Sequence, residues 1–341
     1  MKIALGLSGG VDSAVAAYLL KKRGHDIFGL TMRIFDGQSA ENEAAEIASH
    51  LGIQHTVIDL RKEYIEHVIT YLREEYGAGR TPNPCAVCNR EIKFGLFLKK
   101  AIERIGEFDY FATGHYAELC KIGEDTSVRL NADDEKDQTY FLCRLNKEHF
   151  SKIMFPLAGL KKSEVRAIAV EAGFDFKEKK ESQDLCAGNY KKYLRPSKKP
   201  GAIVLSNGEI IGEHQGIELF TIGQRRGLNV AANYPLYVTA IRQDVSEIVA
   251  GPEEELYCAS LLAGKMNWII GDVPDPEKTY LIKIRYRDKG SLGRIKKVGA
   301  NDSWEICFET PRRAITPGQL AVCYDNNALA GSFFIGFPLS K

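Results

Sequence analysis

What this sequence lacks narrows its role first. None of its apolar runs is long enough to span a bilayer, and no basic leader with a short apolar stretch opens it. A cytoplasmic, non-membrane protein is therefore expected. Net charge is nearly absent: 46 Lys and Arg against 45 Asp and Glu leave +1 over 341 residues. Overall charge does not announce nucleic acid, so any RNA surface has to be a local patch. The eight cysteines follow no secreted-framework spacing. Thiols in a reducing cytosol are the default, and a disulfide there would be transient and catalytic. Internal repeats and low-complexity segments are missing, as are the Gly-Lys-Ser/Thr of a Walker loop and the glycine spacing of a dinucleotide fingerprint.

What is present begins at the second residue. Ile3–Leu7 is an apolar run with strand character, and Ala14–Leu20 repeats apolar residues at helical spacing. Between them stands Ser8-Gly-Gly-Val-Asp-Ser13, a tight turn with Gly9 and Gly10 at its centre. Two glycines remove the Cβ atoms that would keep a phosphate off the backbone. The turn's amides and the positive pole of the next helix then face the anion. Ser8 and Ser13 add hydroxyl donors. Asp12 is out of place in such a cradle, because a carboxylate repels phosphate unless Mg²⁺ stands between them. Magnesium with pyrophosphate fits that pattern better than bare phosphate. An ordinary strand–helix turn with Ser13 as N-cap is the plain alternative, and the full string favours the nucleotide. It resembles the PP-loop of N-type ATP pyrophosphatases, which cleave ATP to AMP and pyrophosphate while adenylating a substrate oxygen.

Strands and helices alternate beyond it. Asp26–Met32, Thr56–Leu60 and Asp109–Thr113 read as strands, and Ala40–Leu51 and Glu63–Tyr76 as helices, with Gly24 and Gly52 as C-caps. This alternation predicts an α/β fold with a doubly wound parallel sheet, whose ligands sit at the carboxyl ends of the strands. Met32 at that edge is either a lip for adenine or a core methionine. Gly114 suits close backbone approach to a nucleotide. His115 is either a catalytic or base-contacting group or a hydrogen-bonded structural imidazole.

Cysteines mark a second centre. In Gly79-Arg-Thr-Pro-Asn-Pro-Cys-Ala-Val-Cys-Asn-Arg-Glu-Ile-Lys-Phe94, Pro82 and Pro84 keep the loop extended. Asn89–Ile105 has helical periodicity, which puts Cys88 near a helix N-terminus, where the dipole lowers a thiol pKa. Arg90 and Lys93 add positive charge. Alone, Cys-x-x-Cys is a redox pair, half a metal site or coincidence. Val128–Asn131 reads as half of a surface hairpin, and Lys136 and Gln138 as holders of an anion and a base edge or as a charged turn. Lys162–Ala172 is an amphipathic helix ended by Gly173. Past it, Cys186 is flanked by Lys177, Lys179, Lys180, Lys191, Lys192, Arg195, Lys198 and Lys199, which read as an RNA-phosphate surface.

The texture changes near Pro196 and again after Leu256, giving an organisation of 1–195, 196–256 and 257–341. Ala202–Leu205 and Ile210–Ile211 flank Asn207-Gly208, a hairpin signal. Leu219–Ile222, Leu236–Arg242 and Glu247–Ala250 read as strands. Gly223-Gln-Arg-Arg-Gly227 is a basic turn whose Arg225 and Arg226 can grip phosphates. Leu281–Arg287, Arg294–Val298, Trp304–Phe308, Leu320–Tyr324 and Phe333–Phe337 are short strands of a small barrel or sandwich, with Thr316–Gln319 as a turn.

These blocks together resemble the tRNA-specific 2-thiouridylases (MnmA/TrmU) from end to end: Ser8–Ser13, Thr81–Phe94, Ala112–Ala117, Lys136–Leu142, Glu181–Cys186, Thr221–Leu228 and Thr316–Gln319. The resemblance implies an adenine-nucleotide α-hydrolase-like domain, a small mostly-β central domain and a C-terminal β-barrel. It implies sulfur insertion at C2 of the wobble uridine in tRNAs for Glu, Gln and Lys. By position, Gly6, Leu7, Ser8, Gly9, Gly10, Val11, Asp12, Ser13, Met32 and Gly114 contact ATP. Cys88 takes the nucleophile's place and Cys186 that of the persulfide carrier. Asn83, Pro84 and Cys85 fall at the target base, and Lys136, Asp137 and Gln138 on the tRNA, with Arg285, Tyr286, His115 and Gln319 at further tRNA positions. Two departures stand out: Cys85 where the family commonly has Asp, and Ala187-Gly188 where it commonly has Phe-Ile.

The chemistry implied follows. ATP adenylates the poor leaving oxygen of uridine C2, and Mg²⁺ near Asp12 neutralises pyrophosphate. Persulfide sulfur on Cys186 attacks C2, and Cys88 then forms a disulfide with Cys186. A reductant and a cysteine desulfurase, direct or through a sulfur-relay protein, are implied partners. Thiols at Cys85, Cys88 and Cys186 also suit a 4Fe–4S cluster delivering sulfide. The rival readings are a PP-loop amide-forming ligase or amidotransferase, which needs neither Cys88 nor Cys186, and a tRNA-binding protein with a regulatory nucleotide.

Overall fold

Alternation in the first strand, Lys2–Gly6, sets up two cores, one on each face of a sheet. Ala4 joins a cluster with Leu30, Ile58, Phe94, Phe97 and Phe111. Ile3 and Leu5 point the other way, against Ala14, Ala17 and Leu20 of the first helix, Val11–Lys22. A fully buried Ile or Leu of this kind contributes about 2 kcal/mol. The computed structural model describes residues 1–37, 39–130, 137–176, 190–194, 199–299 and 301–339. Lys136, Cys186 and most of the lysines around Cys186 lie outside the described residues.

Lys2–Gly6 pairs in parallel with Asp26–Arg33 and Tyr110–Ala112, and Gln54–Asp59 and Ile153–Met154 add at the two edges. All these pairings are parallel, so the doubly wound sheet expected from the sequence is the one that forms. A helix over 61–77 and another over 84–105 cover one face, each with a π-wound middle, Ile65–Ile69 and Cys88–Leu96. The helices Val11–Lys22, Ala40–Leu51 and Lys162–Glu171 cover the other.

The central unit is a four-stranded sheet. Gly201–Leu205 and Ile210–His214 make the hairpin signalled by Asn207-Gly208, with the Asn207 side chain accepting from the Glu209 amide at 3.0 Å. Leu219–Ile222 is not a strand. Ile217–Leu219 forms a 3₁₀ turn instead, and Ile217 and Phe220 fill the core of that sheet. Beyond it, six antiparallel strands close into a barrel, because Tyr257–Trp268 pairs with both Ser303–Arg313 and Ala328–Leu339. Arg285 and Tyr286 lie past the strand Tyr280–Lys283, in a turn closed by the Asp288 amide on the Arg285 carbonyl at 3.1 Å.

The hairpin Glu118–Ile122 and Asp125–Arg129 is not a surface feature. It extends the barrel's sheet through Arg129 against Ala328, with Ser127 and Val128 wholly buried. The apolar cluster crosses the same border, since Leu320, Val322, Tyr324 and Leu329 of the barrel belong to it. Arg144, 7% exposed, donates to the Lys265 carbonyl at 2.8 Å and lies 4.8 Å from the Phe334 ring. The Ser127 hydroxyl donates to the Leu329 carbonyl at 2.6 Å. Ser127→Ala strands that buried carbonyl, at a cost of about 1 kcal/mol or more. Hydrogen exchange over 118–129 should accelerate in this variant, and unchanged exchange would show that the hairpin does not depend on the barrel.

Candidate active site

The phosphate loop lies between Gly6 and the first helix. Gly9 has φ +76°, and a Cβ there would come within 2.8 Å of the Glu43 Cβ and 3.0 Å of the Ala40 carbonyl. Glycine is thus required by the packing of the loop on the helix Ala40–Leu51. Gly10 caps the first helix without a side chain, which leaves its opening amides uncovered by any capping group. Ser13, 3% exposed, donates to the Gly10 carbonyl at 3.0 Å and accepts from the Ser8 amide at 3.1 Å. Its hydroxyl braces the loop from inside, while Ser8 is exposed.

Asp12 is paired. The Lys162 ammonium donates to its two oxygens at 2.7 and 2.8 Å, and the Tyr116 hydroxyl donates to Oδ1 at 2.7 Å. Mg²⁺ is usually held by one or two carboxylates together with substrate phosphates, and here the one carboxylate already carries an ammonium and a phenol. No group of three His, Cys, Asp or Glu able to hold a metal occurs among the described residues. A magnesium ligated by Asp12, as expected from the sequence, would have to share or displace the Lys162 ammonium and the Tyr116 hydroxyl. Lys162 was legible in the sequence only as a helix start. A lysine at a helix's positive pole costs about 0.3–1 kcal/mol unless an acid offsets it, and that oddity was the available signal.

Four residues after the strand Tyr110–Ala112 tie this loop to the cysteines. A Cβ on Gly114 would meet the backbone of Asp12 and Ser13 at 2.9 Å, so it is the first helix that approaches here. The His115 ring lies between Phe94 of the 84–105 helix and Phe155, at 6.0 and 6.2 Å, with Thr113 Oγ1 2.7 Å from Nδ1. Burial, reinforced by Lys93, holds this imidazole well below its ordinary range, so it is neutral at neutral pH. Gln138 accepts from the Tyr116 amide at 3.0 Å and steadies the same segment.

The cysteine helix starts earlier than its periodicity suggests. Asn83, 3% exposed, is the N-cap and accepts from the Ala86 amide at 3.1 Å, with Pro84 as first helical residue. Cys85, half-buried, therefore occupies the dipole-favoured first turn that the sequence assigned to Cys88. Cys88 stands one turn in, buried, where the π-wound stretch begins. Such stretches are rare and concentrate at functional sites. Cys85 and Met32 both border the apolar cluster that contains Cys88.

All three units hold the residues just ahead of this helix. Gln319 of the barrel donates to the Pro82 carbonyl at 2.9 Å and the Thr81 carbonyl at 3.3 Å, and the Thr81 amide donates to the Pro317 carbonyl at 2.8 Å. The Thr81 hydroxyl donates to that of Thr221, from the central unit, at 3.3 Å. Asp137, 4% exposed, is turned inward: it accepts from the Thr139 hydroxyl at 2.9 Å and faces Lys283 at 3.8 Å. Tyr286 packs against Phe141 with tilted rings 4.5 Å apart, and Arg225, Arg226 and Arg285 are exposed.

Residues 1–188 match the family described as tRNA methyl transferase HUP domain, 190–252 the tRNA methyl transferase PRC-barrel domain, and 258–335 the aminomethyltransferase beta-barrel domain. A protein of Halothermothrix orenii named tRNA-specific 2-thiouridylase MnmA is 39% identical, with 98% of each chain covered. One of the same name from Syntrophomonas wolfei is 42% identical, covering 97% of this chain and 98% of its own.

The seven described cysteines are thiols that differ in reach. Burial pushes Cys143 up to about 12 and raises Cys323 as well, and neither is exposed at all. Both stay protonated and enclosed at neutral pH. Brief alkylation of the native protein at pH 7.5 should modify Cys85 well before Cys143 or Cys323, by peptide mass spectrometry. Early labelling of Cys143 would contradict this burial.

Proposed function

The chain belongs to the tRNA-specific 2-thiouridylase MnmA family, and from that premise we propose the course of its reaction. The enzyme 2-thiolates tRNA with ATP. The observation that carries the reading is the segment Thr113–Tyr116, which touches the phosphate loop through Gly114 and the Tyr116 hydroxyl and the cysteine helix through His115. Nucleotide and thiol chemistry thus share one edge of one sheet. The matched families are described as methyl transferases, yet an ATP-cleaving loop beside cysteines supplies adenylation and sulfur transfer, which methyl transfer does not use. An amide-forming ligase has no use for Cys88 or for exposed arginines on the central unit.

Uridine O2 of the wobble base attacks the α-phosphorus of ATP, held by Gly6–Ser13 with Met32 against the adenine, and pyrophosphate departs. The terminal sulfur of a Cys186 persulfide then displaces AMP from C2. Cys88 thiolate attacks the Cys186 sulfur, which releases the 2-thio base and leaves a Cys88–Cys186 disulfide for an external dithiol to reduce. A cysteine desulfurase, direct or through a relay, recharges Cys186, and the acceptors are tRNAs for Glu, Gln and Lys in the cytoplasm. No helix among the described residues is long and apolar enough to cross a membrane. Arg225, Arg226, Arg285 and Lys192 grip phosphates, Cys85 lies by the target base, and Gln319 and Asn83 shape the loop that presents it.

A second reading has one observation in its favour. Cys85 and Cys88 are three residues apart on one helix, hence on one face, and a third thiolate, which the reading assigns to Cys186, would complete the ligands of a 4Fe–4S cluster. When bound, such a cluster would hold inorganic sulfide at the iron without a protein ligand. Iron and sulfide analysis after anaerobic purification separates the two: stoichiometric cluster with activity lost in Cys85→Ser supports the cluster, and a colourless active enzyme the persulfide.

For the main reading, unmodified tRNA, ATP and a persulfide donor should yield AMP and 2-thiouridine in equal amounts. Cys88→Ser should keep tRNA-dependent AMP formation and lose the 2-thio base. AMP formed without tRNA, or an amidated product, would favour the ligase. Reversing charge at Arg225 and Arg226 together should weaken all substrate tRNAs alike, by about tenfold at moderate salt. A loss confined to one tRNA would mean base readout there.

A further inference from the structure

Lys162 opens the helix Lys162–Glu171, directly after Lys161, so two cationic side chains stand at a positive pole. The Lys161 amide is satisfied by Glu164 at 2.7 Å. Lys162 reaches beyond that helix. Its ammonium is carried across to the phosphate loop, where it meets both oxygens of Asp12 at 2.7 and 2.8 Å. The Lys162 side chain is 12% exposed and that of Asp12 33%, so the lysine is enclosed while the carboxylate faces the opening of the loop. Tyr116 fixes Asp12 from the other side at 2.7 Å, and its ring lies 5.7 Å from the ammonium.

We infer that Lys162 is the resident cation of the phosphate loop: Asp12 and Tyr116 position it, and it neutralises pyrophosphate as ATP is cleaved. A bare Asp12 would repel a polyphosphate from the amides beside it. The Asp12–Lys162 pair carries no net charge, and the amides of the loop and the first helix can take the anion. In the adenylation step the bond between the α-phosphorus and the bridging oxygen breaks, and that oxygen leaves with the electron pair. An ammonium that exchanges one Asp12 oxygen for a phosphate oxygen stabilises this charge without giving up a proton. Asp12 is then a positioning residue, and its presence in a phosphate cradle is explained without a metal ligated to it. The inference rests on adenylation occurring at this loop.

Calorimetric titration with inorganic pyrophosphate in EDTA tests it, on the wild type, Lys162→Gln, Lys162→Arg, Asp12→Asn and the double variant Lys162→Gln/Asp12→Asn. The wild type should bind pyrophosphate without metal, Lys162→Gln should bind at least tenfold more weakly, and Lys162→Arg should recover part of the loss. In parallel, Lys162→Gln should lower kcat for tRNA-dependent AMP release at least a hundredfold with KM for tRNA unchanged. Because Asp12 acts through Lys162, the double variant should be no worse than the worse single one. Wild-type binding that requires Mg²⁺, or an unaffected Lys162→Gln, or multiplicative losses in the double variant, would overturn the assignment. A wild type that forms no AMP with tRNA would sink adenylation itself, and the pyrophosphate titration would still decide the role of Lys162.

Discussion

Five residues, 79–83, are the constraint on which the arrangement depends. A Cβ on Gly79 would lie 2.8 Å from Ile241 of the central sheet, Thr81 is bonded to Thr221 and Pro317, and Gln319 grips the carbonyls of Thr81 and Pro82. The backbone there is extended by its prolines and forms no ladder of its own. Its polar groups therefore need partners from elsewhere: the Gly79, Arg80 and Asn83 amides find them at Tyr76, Glu75 and Tyr71 of the first unit, and Thr81 and Pro82 find them in the barrel and the central unit. Asn83 then starts the helix that carries Cys85 and Cys88. The barrel and the central unit thus brace the segment that leads into these thiols.

Charge is balanced with similar economy. The loop that receives polyphosphate holds one carboxylate, one ammonium and one phenol in mutual hydrogen bonds, and these come from the first helix, the helix Lys162–Glu171 and the segment after Ala112. Three elements far apart in sequence therefore have to dock before the site is neutral. His115 between Phe94 and Phe155 is kept neutral by burial, so the one imidazole bridging the two halves is a hydrogen-bonding group and not a cation.

Much of this was legible in the sequence where one periodicity or one turn residue decides. The phosphate loop, the parallel sheet, the Asn207-Gly208 hairpin and the run of short strands of a barrel or sandwich follow from local pattern. The barrel strand Tyr257–Trp268 was not, because its small residues and irregular burial hide the alternation. Cys88 was placed at a helix N-terminus because Pro84 reads as a breaker, whereas here it is the first helical residue. Lys162, Gln138, Asp137 and Gln319 act through partners more than a dozen residues away or inside an interface, and no window of sequence shows that. Asp137, read as a tRNA contact, is enclosed between the first unit and the barrel.

The central claim is that ATP activates the base oxygen at this edge of the sheet before sulfur arrives. Transfer of that oxygen is directly measurable. Substrate tRNA carrying ¹⁸O at C2 of the wobble uridine, thiolated to completion by this enzyme, should deliver the label to the phosphate of AMP, with none in pyrophosphate or water. Unlabelled AMP alongside full conversion to 2-thiouridine would contradict the account.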